Sequence, residues 1–272
     1  MSIPNLTLTN GVKIPQFGLG TWKVTDETAY KTMIDAAIEY GYRHFDTAQI
    51  YNNEQLLGAA WKGHNLARES IFITTKIFIK NFGPKKLESS FAESLSKLNT
   101  DYADLLLLHF PVTILRKKAW MELEKIYQSG QAKAIGVSNY TIKHLEDMKR
   151  YATIMPHVNQ VELHVFLQQP ELLAYCRQNG IIVEAYSPLA HARANDDHLI
   201  QQIAEDHDRS YAQIMLRWCV EQGLVVIPKS ITPSRIKENV EVFDFQLTAE
   251  DIELLSSANR GLRTCWSPVH IP

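Results

Sequence analysis

The chain has 272 residues, a formal net charge of -2 and 45% hydrophobic residues. That length admits one large domain or two small ones; the apolar content suits a sizeable core rather than a disordered chain; and the near-neutral charge gives no electrostatic pull toward nucleic acid or an anionic membrane. Three cysteines, Cys176, Cys219 and Cys265, are odd in number and widely spaced, which excludes a disulfide framework or zinc ribbon and leads us to expect a reducing, cytoplasmic setting.

The opening MSIPNLTLTNGVKIP has neither a basic stretch nor an apolar run, so no signal peptide is read there. Its Asn10-Gly11 pair, between short strand-like segments at 6–9 and 12–15, predicts a two-residue β-hairpin turn. Strand-like runs follow at 16–18, 44–46, 71–75, 103–108, 132–137, 157–160, 181–185 and 224–227. Helical patterns alternate with them at 27–40, 54–62, 85–98, 115–129, 142–151, 170–179 and 211–222. In 85–98, Leu87, Phe91, Leu95 and Leu98 recur at helical spacing, with Ser94 and Lys97 off the stripe. Gly41, Gly130, Gly180 and Gly223 fall where a C-cap glycine would end a helix before the next strand. The longest apolar run, 105–108, is far too short to span a bilayer. Eight strands in βα alternation without a linker predict an α/β fold, a single (β/α)8 TIM barrel domain over residues 1–272 with an N-terminal β-hairpin; a doubly wound open sheet is the runner-up.

Ionisable residues stand at the carboxyl ends of three successive strands. GYRHFDTAQIYNNE (41–54) carries Asp46 at a strand end and Tyr51 in the loop beyond; IFITTK ends at Lys76; ADLLLLHFP carries His109 after four leucines. An apolar strand ending in a polar residue is what an α/β enzyme shows at its working face, so these four point to one active site.

These residues closely resemble the aldo-keto reductase family. The likeness runs in order through GLGTW (18–22), GYRHFDTAQIYNNE, ITTK (73–76), LLHFP (107–111), IGVSN (135–139), NQVELH (159–164), AYSPLA (185–190), IPKS (227–230) and RIKENVEVFDFQLT (235–248), essentially the whole chain. Within the family it is most like bacterial 2,5-diketo-gluconate (methylglyoxal) reductases. The resemblance implies a barrel that binds NADPH without a Rossmann fingerprint, and Gly18-x-Gly20 indeed lacks the third glycine. It also implies that Asp46, Tyr51, Lys76 and His109 are the catalytic tetrad, with Tyr51 the acid in reduction. A lysine ammonium beside the phenol would lower its pKa from ~10 toward working pH. Asp46 would hold Lys76 charged, and His109 would orient the carbonyl oxygen. Taken singly, Asp46 also suits a helix N-cap or buried ion pair, and Tyr51 and His109 suit the core.

The same mapping implies cofactor contacts. Ser138, Asn139 and Gln160 would bond the nicotinamide carboxamide and Tyr186 would stack on its ring. Ser187 and Leu189 would line the pyrophosphate path, and Gly20 and Thr21 are further cofactor-binding positions. Lys229, Ser230 and Arg235 would take the 2′-phosphate, and Glu238 and Asn239 the adenine. Trp22 and Phe110 are expected as substrate-pocket walls; many family members carry tryptophan at Phe110. There is no HExxH, and no metal site is expected. Short loops after His109 and after Ala190 (the stretch 191–197) and a brief tail (261–272) suit small activated carbonyls such as 2-oxoaldehydes, with diketo sugar acids as a further class, better than steroids. Trp266 and His270 either cover the pocket or belong to a loose end. The expected protein is a cytoplasmic monomer whose partner is a small carbonyl substrate. Alternatives are a cofactor-sensing auxiliary subunit of the same fold and a Schiff-base enzyme using Lys76.

Overall fold

The computed structural model describes residues 3–192 and 197–272. The chain enters as a hairpin of β1 (Asn5–Thr7) and β2 (Lys13–Pro15), with Leu6 opposite Ile14. Its loop is longer than the predicted two-residue turn. Gly11 alone takes a positive φ, of 86°, whereas a two-residue type I′ turn needs two such residues. Asn10 is instead tied down by its side chain, which donates to the Lys133 carbonyl at 2.9 Å.

Eight parallel strands follow, each pairing with the next in chain order: β3 (Leu19–Gly20), β4 (His44–Asp46), β5 (Phe72–Ile77), β6 (Ala103–Leu108), β7 (Ala132–Ser138), β8 (Val158–Glu162), β9 (Ile182–Tyr186) and β10 (Val225–Ile227). Residues just before β3 close the barrel onto β10. Val226 N–H donates to the Gln16 carbonyl, Gly18 N–H to that of Val226 and Gly20 N–H to that of Pro228, at 2.9 to 3.0 Å. The predicted strand 16–18 is thus the seam of the barrel, while the regular pairing with β4 begins at Leu19. This is the (β/α)8 TIM barrel, and the open sheet is set aside.

Helices α1 (Glu27–Glu39), α2 (Glu54–Gly63), α3 (Pro84–Lys97), α4 (Arg116–Gln128), α5 (Ile142–Met148), α6 (Pro170–Gln178), α7 (His198–Asp206), α8 (Tyr211–Glu221), α9 (Pro233–Val240) and α10 (Ala249–Ser257) are the helices of the described residues. Expected boundaries hold to within one or two residues except in α5, which stops three short. The pieces α7, α9 and α10, eight or nine residues long, were not among the expected helices. Gly41, the residue after the α1 C-cap, takes φ 89°, a conformation that a Cβ disfavours. On α3 the expected stripe is buried, but so is Ser94, whose hydroxyl donates to Glu54 Oε2 at 3.2 Å. Of the described residues, no helix is long and apolar enough to cross a membrane.

Alternate side chains of each strand face the barrel axis. Phe72, Leu105, Leu107, Ala134, Val158 and Val225 fill the end where the strands start, and Leu8 and Ile14 of the hairpin plug it. Above this apolar floor the inward positions turn polar, with His44, Thr74, Gln160 and Glu184, and then Asp46 and Lys76 toward the strand ends. Apolar burial therefore carries the fold at one end and leaves the other free for chemistry.

Helix α2 docks on the end of α3 through Gly58, where an added Cβ would come within 2.1 Å of the Lys97 carbonyl oxygen, and through Trp61, whose indole N–H donates to Leu98 O at 2.9 Å. Gly58→Ala is therefore expected to lower unfolding stability in urea by ~2–3 kcal/mol, as overpacking does. Gly63→Ala, with nothing within 4 Å of the new Cβ, is expected to be neutral or slightly stabilising.

Candidate active site

The polar residues of 41–54 place Tyr51. Thr47 Oγ1 donates to Asn53 Oδ1 at 2.7 Å, and Asn53 Nδ2 donates to the carbonyls of Thr21 and Val24. Gln49 donates to the Ser90 carbonyl at 3.1 Å and accepts from the Phe78 N–H at 2.8 Å. These bonds fix a short 3₁₀ turn, Gln49–Tyr51, that ends at Asn52 with φ 55°. The phenol is thereby aimed back over the strand ends.

Lys76 is 0% exposed. Its Nζ donates to Asp46 Oδ1 and Oδ2 at 2.6 and 2.7 Å, to the Thr47 carbonyl at 2.9 Å and to Tyr51 Oη at 3.2 Å. Burial alone would depress the ammonium, but the charges of Asp46 and Tyr51 outweigh it and the net direction is upward. Lys76 is therefore a fixed positive charge beneath the phenol. The acidity of Tyr51 differs from expectation. Withdrawal from water raises it and Lys76 lowers it, and burial wins, so the phenol is pushed up to about 12. At neutral pH it carries its proton.

His109 stands beside Tyr51, ring centroids 5.7 Å apart. Burial and then Lys76 drive its pKa down to about 3, so the imidazole is neutral. Its Nδ1 is buried and has no hydrogen-bond partner among the described residues. Trp22 lies edge-on to Tyr51 with centroids 4.7 Å apart and is 41% exposed. Phe110 meets the exposed Trp266 of the tail edge-on at 6.5 Å. Both expected walls thus border the same opening.

The other expected residues form two groups. Ser138 and Tyr186 end β7 and β9 and Asn139 follows β7, whereas Gln160, expected at a strand end, lies in the middle of β8. Asn139 Nδ2 donates to the Ser138 hydroxyl at 3.0 Å and the His109 carbonyl at 3.2 Å, and the Tyr186 hydroxyl donates to Asn139 Oδ1 at 2.7 Å. Gln160 Nε2 donates to Asp46 Oδ2 at 2.7 Å, which joins this group to Lys76. Thr21 joins it through its hydroxyl, on the Asp46 carbonyl at 2.9 Å. Ser187 and Leu189 continue beyond β9, Ser187 with φ 49°. The second group, Lys229, Ser230 and Arg235, occupies the loop after β10 and the first turn of α9, where the positive end of the helix dipole favours an anion. Gly20 bridges the groups through its N–H bond to the Pro228 carbonyl. Glu238 and Asn239 sit later on α9. The Ser210 hydroxyl donates to the Glu238 carboxylate, so that carboxylate is partly engaged already.

Two buried acids were passed over in the sequence. Glu184, on β9, accepts from Gln160 Nε2 at 3.1 Å. Glu162, at the end of β8, clasps the tail: it accepts from the N–H groups of Thr264 and Cys265 at 2.6 and 3.1 Å and from the Thr264 hydroxyl. Farther along, His144 Nε2 donates to the Ile271 carbonyl at 2.9 Å and Arg116 donates to that of Pro272. The tail is thus strapped across the rim; Trp266 borders the opening, and His270 is exposed. The stretch expected at 191–197 lies in part, at 193–196, outside the described residues.

Residues 15–260 match the Aldo/keto reductase family. The chain is 44% identical over 261 residues to a glyoxal reductase of Bacillus subtilis, covering 96% of this chain and 95% of the relative. It is 39% identical over 262 residues to methylglyoxal reductase DkgA of Escherichia coli, covering 95% and 94%. An aldo-keto reductase of Bombyx mori solved in complex with NADP superposes with a TM-score of 0.92 at 32% identity, covering 97% of this chain and 95% of that one.

Lys76→Met strands the Asp46 carboxylate in the barrel and is expected to lower stability by ~3–5 kcal/mol; Lys76→Met with Asp46→Leu should recover most of that in urea unfolding. Glu162 supplies a pH signature. Burial raises its carboxyl, but the bonds from His164, Thr264 and Cys265 outweigh this and hold it down to about 2, from an ordinary 4.5. Its stabilisation is complete above 4.5 and is lost as pH falls toward 2. Glu162→Gln should flatten that limb of the stability–pH curve.

Proposed function

The chain belongs to the aldo/keto reductase family of oxidoreductases acting on carbonyl groups, and from that premise we propose that it reduces small aldehydes and reactive ketones, 2-oxoaldehydes foremost, with NADPH as reductant and Tyr51 as proton donor. Residues 1–272 would act as one barrel domain. The observation that carries this reading is the placement of Lys76 Nζ 3.2 Å from the Tyr51 hydroxyl while Asp46 holds it from the other side.

The residues present fit the cofactor. The Ser138 hydroxyl and the amides of Asn139, just after β7, and of Gln160, within β8, suit a carboxamide, the Tyr186 ring offers a stacking face, and Lys229 and Arg235 with Ser230 form a cationic corner for a phosphate. Bound there, the nicotinamide supplies the hydride. The chain's own work concerns the carbonyl oxygen. The neutral His109 imidazole and the protonated Tyr51 phenol face it as hydrogen-bond donors. As negative charge develops on that oxygen, Tyr51 gives up its proton, and the fixed charge of Lys76 stabilises the phenolate left behind. A phenol at about 12 in the free protein holds its proton until that moment. Lys76 itself is ill suited to a Schiff base, which needs a neutral amine, because four oxygens within 3.2 Å keep it an ammonium.

Substrate size follows from the rim. Trp22, Phe110 and Trp266 border the opening with rings, and the tail brings Trp266 close with few residues to spare. Methylglyoxal and glyoxal fit such a site better than a steroid, and the names of the Bacillus subtilis and Escherichia coli relatives support the same choice. Diketo sugar acids are the second substrate class to try.

The test follows NADPH oxidation with methylglyoxal. Tyr51→Phe is expected to lower kcat by ~10²–10⁴-fold, the usual worth of a general acid, with NADPH affinity retained. Arg235→Ala should raise KM for NADPH by about tenfold or more and leave NADH nearly unaffected, as loss of a charge-assisted phosphate contact would. Undiminished turnover in Tyr51→Phe would overturn the mechanism. Tight NADPH binding without turnover of any small aldehyde would favour the cofactor-sensing role instead.

A further inference from the structure

Beneath the Asp46–Lys76 pair lies a second buried acid that the proposed reaction leaves unused. Glu184 is 0% exposed, on β9 two residues before Tyr186. Its Oε2 accepts at 3.1 Å from Gln160 Nε2, the same nitrogen that donates to Asp46 Oδ2 at 2.7 Å. Its Oε1 lies 3.4 Å from Nε2 of His44 but makes no hydrogen bond among the described residues; His44, itself fully buried, has its Nε2 3.0 Å from the Thr74 hydroxyl.

The charges in this cluster constrain one another. Two carboxyl groups, from β4 and β9, share one amide, and the cation among them is Lys76, whose bonds go to both oxygens of Asp46. His44 is no second cation, because burial drives it down to about 3. On β10 the residue in register with Glu184 is the apolar Val225. An ionised Glu184 would be an unpaired negative charge in a dry interior, the costliest state open to it. Burial, then the charge of Asp46, push it up to about 8.

We propose that Glu184 is a positioning residue for carbonyl reduction: as a neutral carboxylic acid beside His44 it accepts from Gln160, which fixes the Gln160 amide and leaves Asp46 as the one negative charge under Lys76. The inference rests on the reading that Asp46, Lys76 and Tyr51 form the reacting group. Both N–H bonds of the Gln160 amide are committed to carboxyl oxygens, so its Oε1 remains as the acceptor for a carboxamide N–H. The sign of the pH effect follows. When Glu184 loses its proton, the new charge raises both Lys76 and Tyr51, and the phenol becomes a poorer proton donor. The groups that face it are His44 and Asp46 from β4, Lys76 from β5, Gln160 from β8 and Tyr51 from the loop after β4.

The experiment compares the wild type with Glu184→Gln, whose amide can accept from Gln160 as the neutral acid does but does not titrate, and with Glu184→Leu, which removes that bond. In the infrared difference spectrum of wild type against Glu184→Gln, the C=O stretch of a protonated carboxyl is expected at neutral pH and should fade as pH rises past about 8. NADP affinity, read by quenching of tryptophan fluorescence, should fall about tenfold in Glu184→Leu, the worth of one buried hydrogen bond, and return in Glu184→Gln. An alkaline fall in kcat present in the wild type should be absent from Glu184→Gln. Absence of the protonated band at neutral pH, or NADP binding by Glu184→Gln as weak as that of Glu184→Leu, overturns the proposal. Should Glu184→Leu not fold, the band and the Glu184→Gln pH profile still decide. Band and affinity are read without turnover, so a failure of the Tyr51 mechanism leaves them standing and is told apart from a failure here.

Discussion

One constraint governs the upper half of this barrel: a lysine ammonium with no access to water. Lys76 is 0% exposed, and an ammonium there is tolerable only when oxygens replace its hydration shell. Asp46 supplies two, the Thr47 backbone a third and Tyr51 a fourth. Much of the surrounding structure serves that arrangement. The turn that carries Tyr51 is pinned by Gln49 and Asn53, Asp46 is held by Gln160, and Gln160 by Glu184. The apolar floor of the barrel and its hairpin plug keep water out from below. The ion pair is therefore weak evidence for stability and strong evidence for purpose. Apolar residues of similar volume would fill the same space at less cost.

The same arrangement explains how a tyrosine that is hard to ionise suits a reduction. Burial raises the phenol and Lys76 pulls it back only in part, leaving it at about 12. A proton donor needs to keep its proton until negative charge develops on the acceptor, and then to lose it at low cost. In the proposed reaction burial would secure the first condition and the neighbouring ammonium the second. The expectation of a lowered pKa counted the ammonium and left out the loss of water around the ring.

Much of this was legible in the sequence, because the barrel repeats one rule. Apolar strands that end in Asp46, Lys76 and His109 announced the fold and pointed to the face where these side chains meet, and the βα count supplied the closure. The positions of Asp46, Tyr51, Lys76 and His109 came out together as expected. What escaped had identifiable causes. Glu184 sits inside an apolar strand, so a search of strand ends passes over it, although its inward parity with Tyr186 was a readable sign. Glu162 was hidden because its partners, Thr264 and Cys265, lie about a hundred residues away. Ser94 looked like a surface residue on α3 because the stripe was drawn from apolar side chains alone, whereas Glu54 gives its hydroxyl a buried partner. The hairpin turn was misjudged because Asn10 bonds to Lys133, a residue no local pattern contains.

If the buried ammonium is the centre of the chemistry, removing it should disable the chemical step while leaving the cofactor's binding groove intact. The most direct measurement is the single-turnover rate of NADPH oxidation by methylglyoxal in folded Lys76→Met, with NADPH affinity measured separately by fluorescence. The account predicts affinity close to that of the wild type and a chemical step slower by ~10² or more, the scale of a lost electrostatic contribution to proton donation. A chemical step as fast as the wild type's would contradict it.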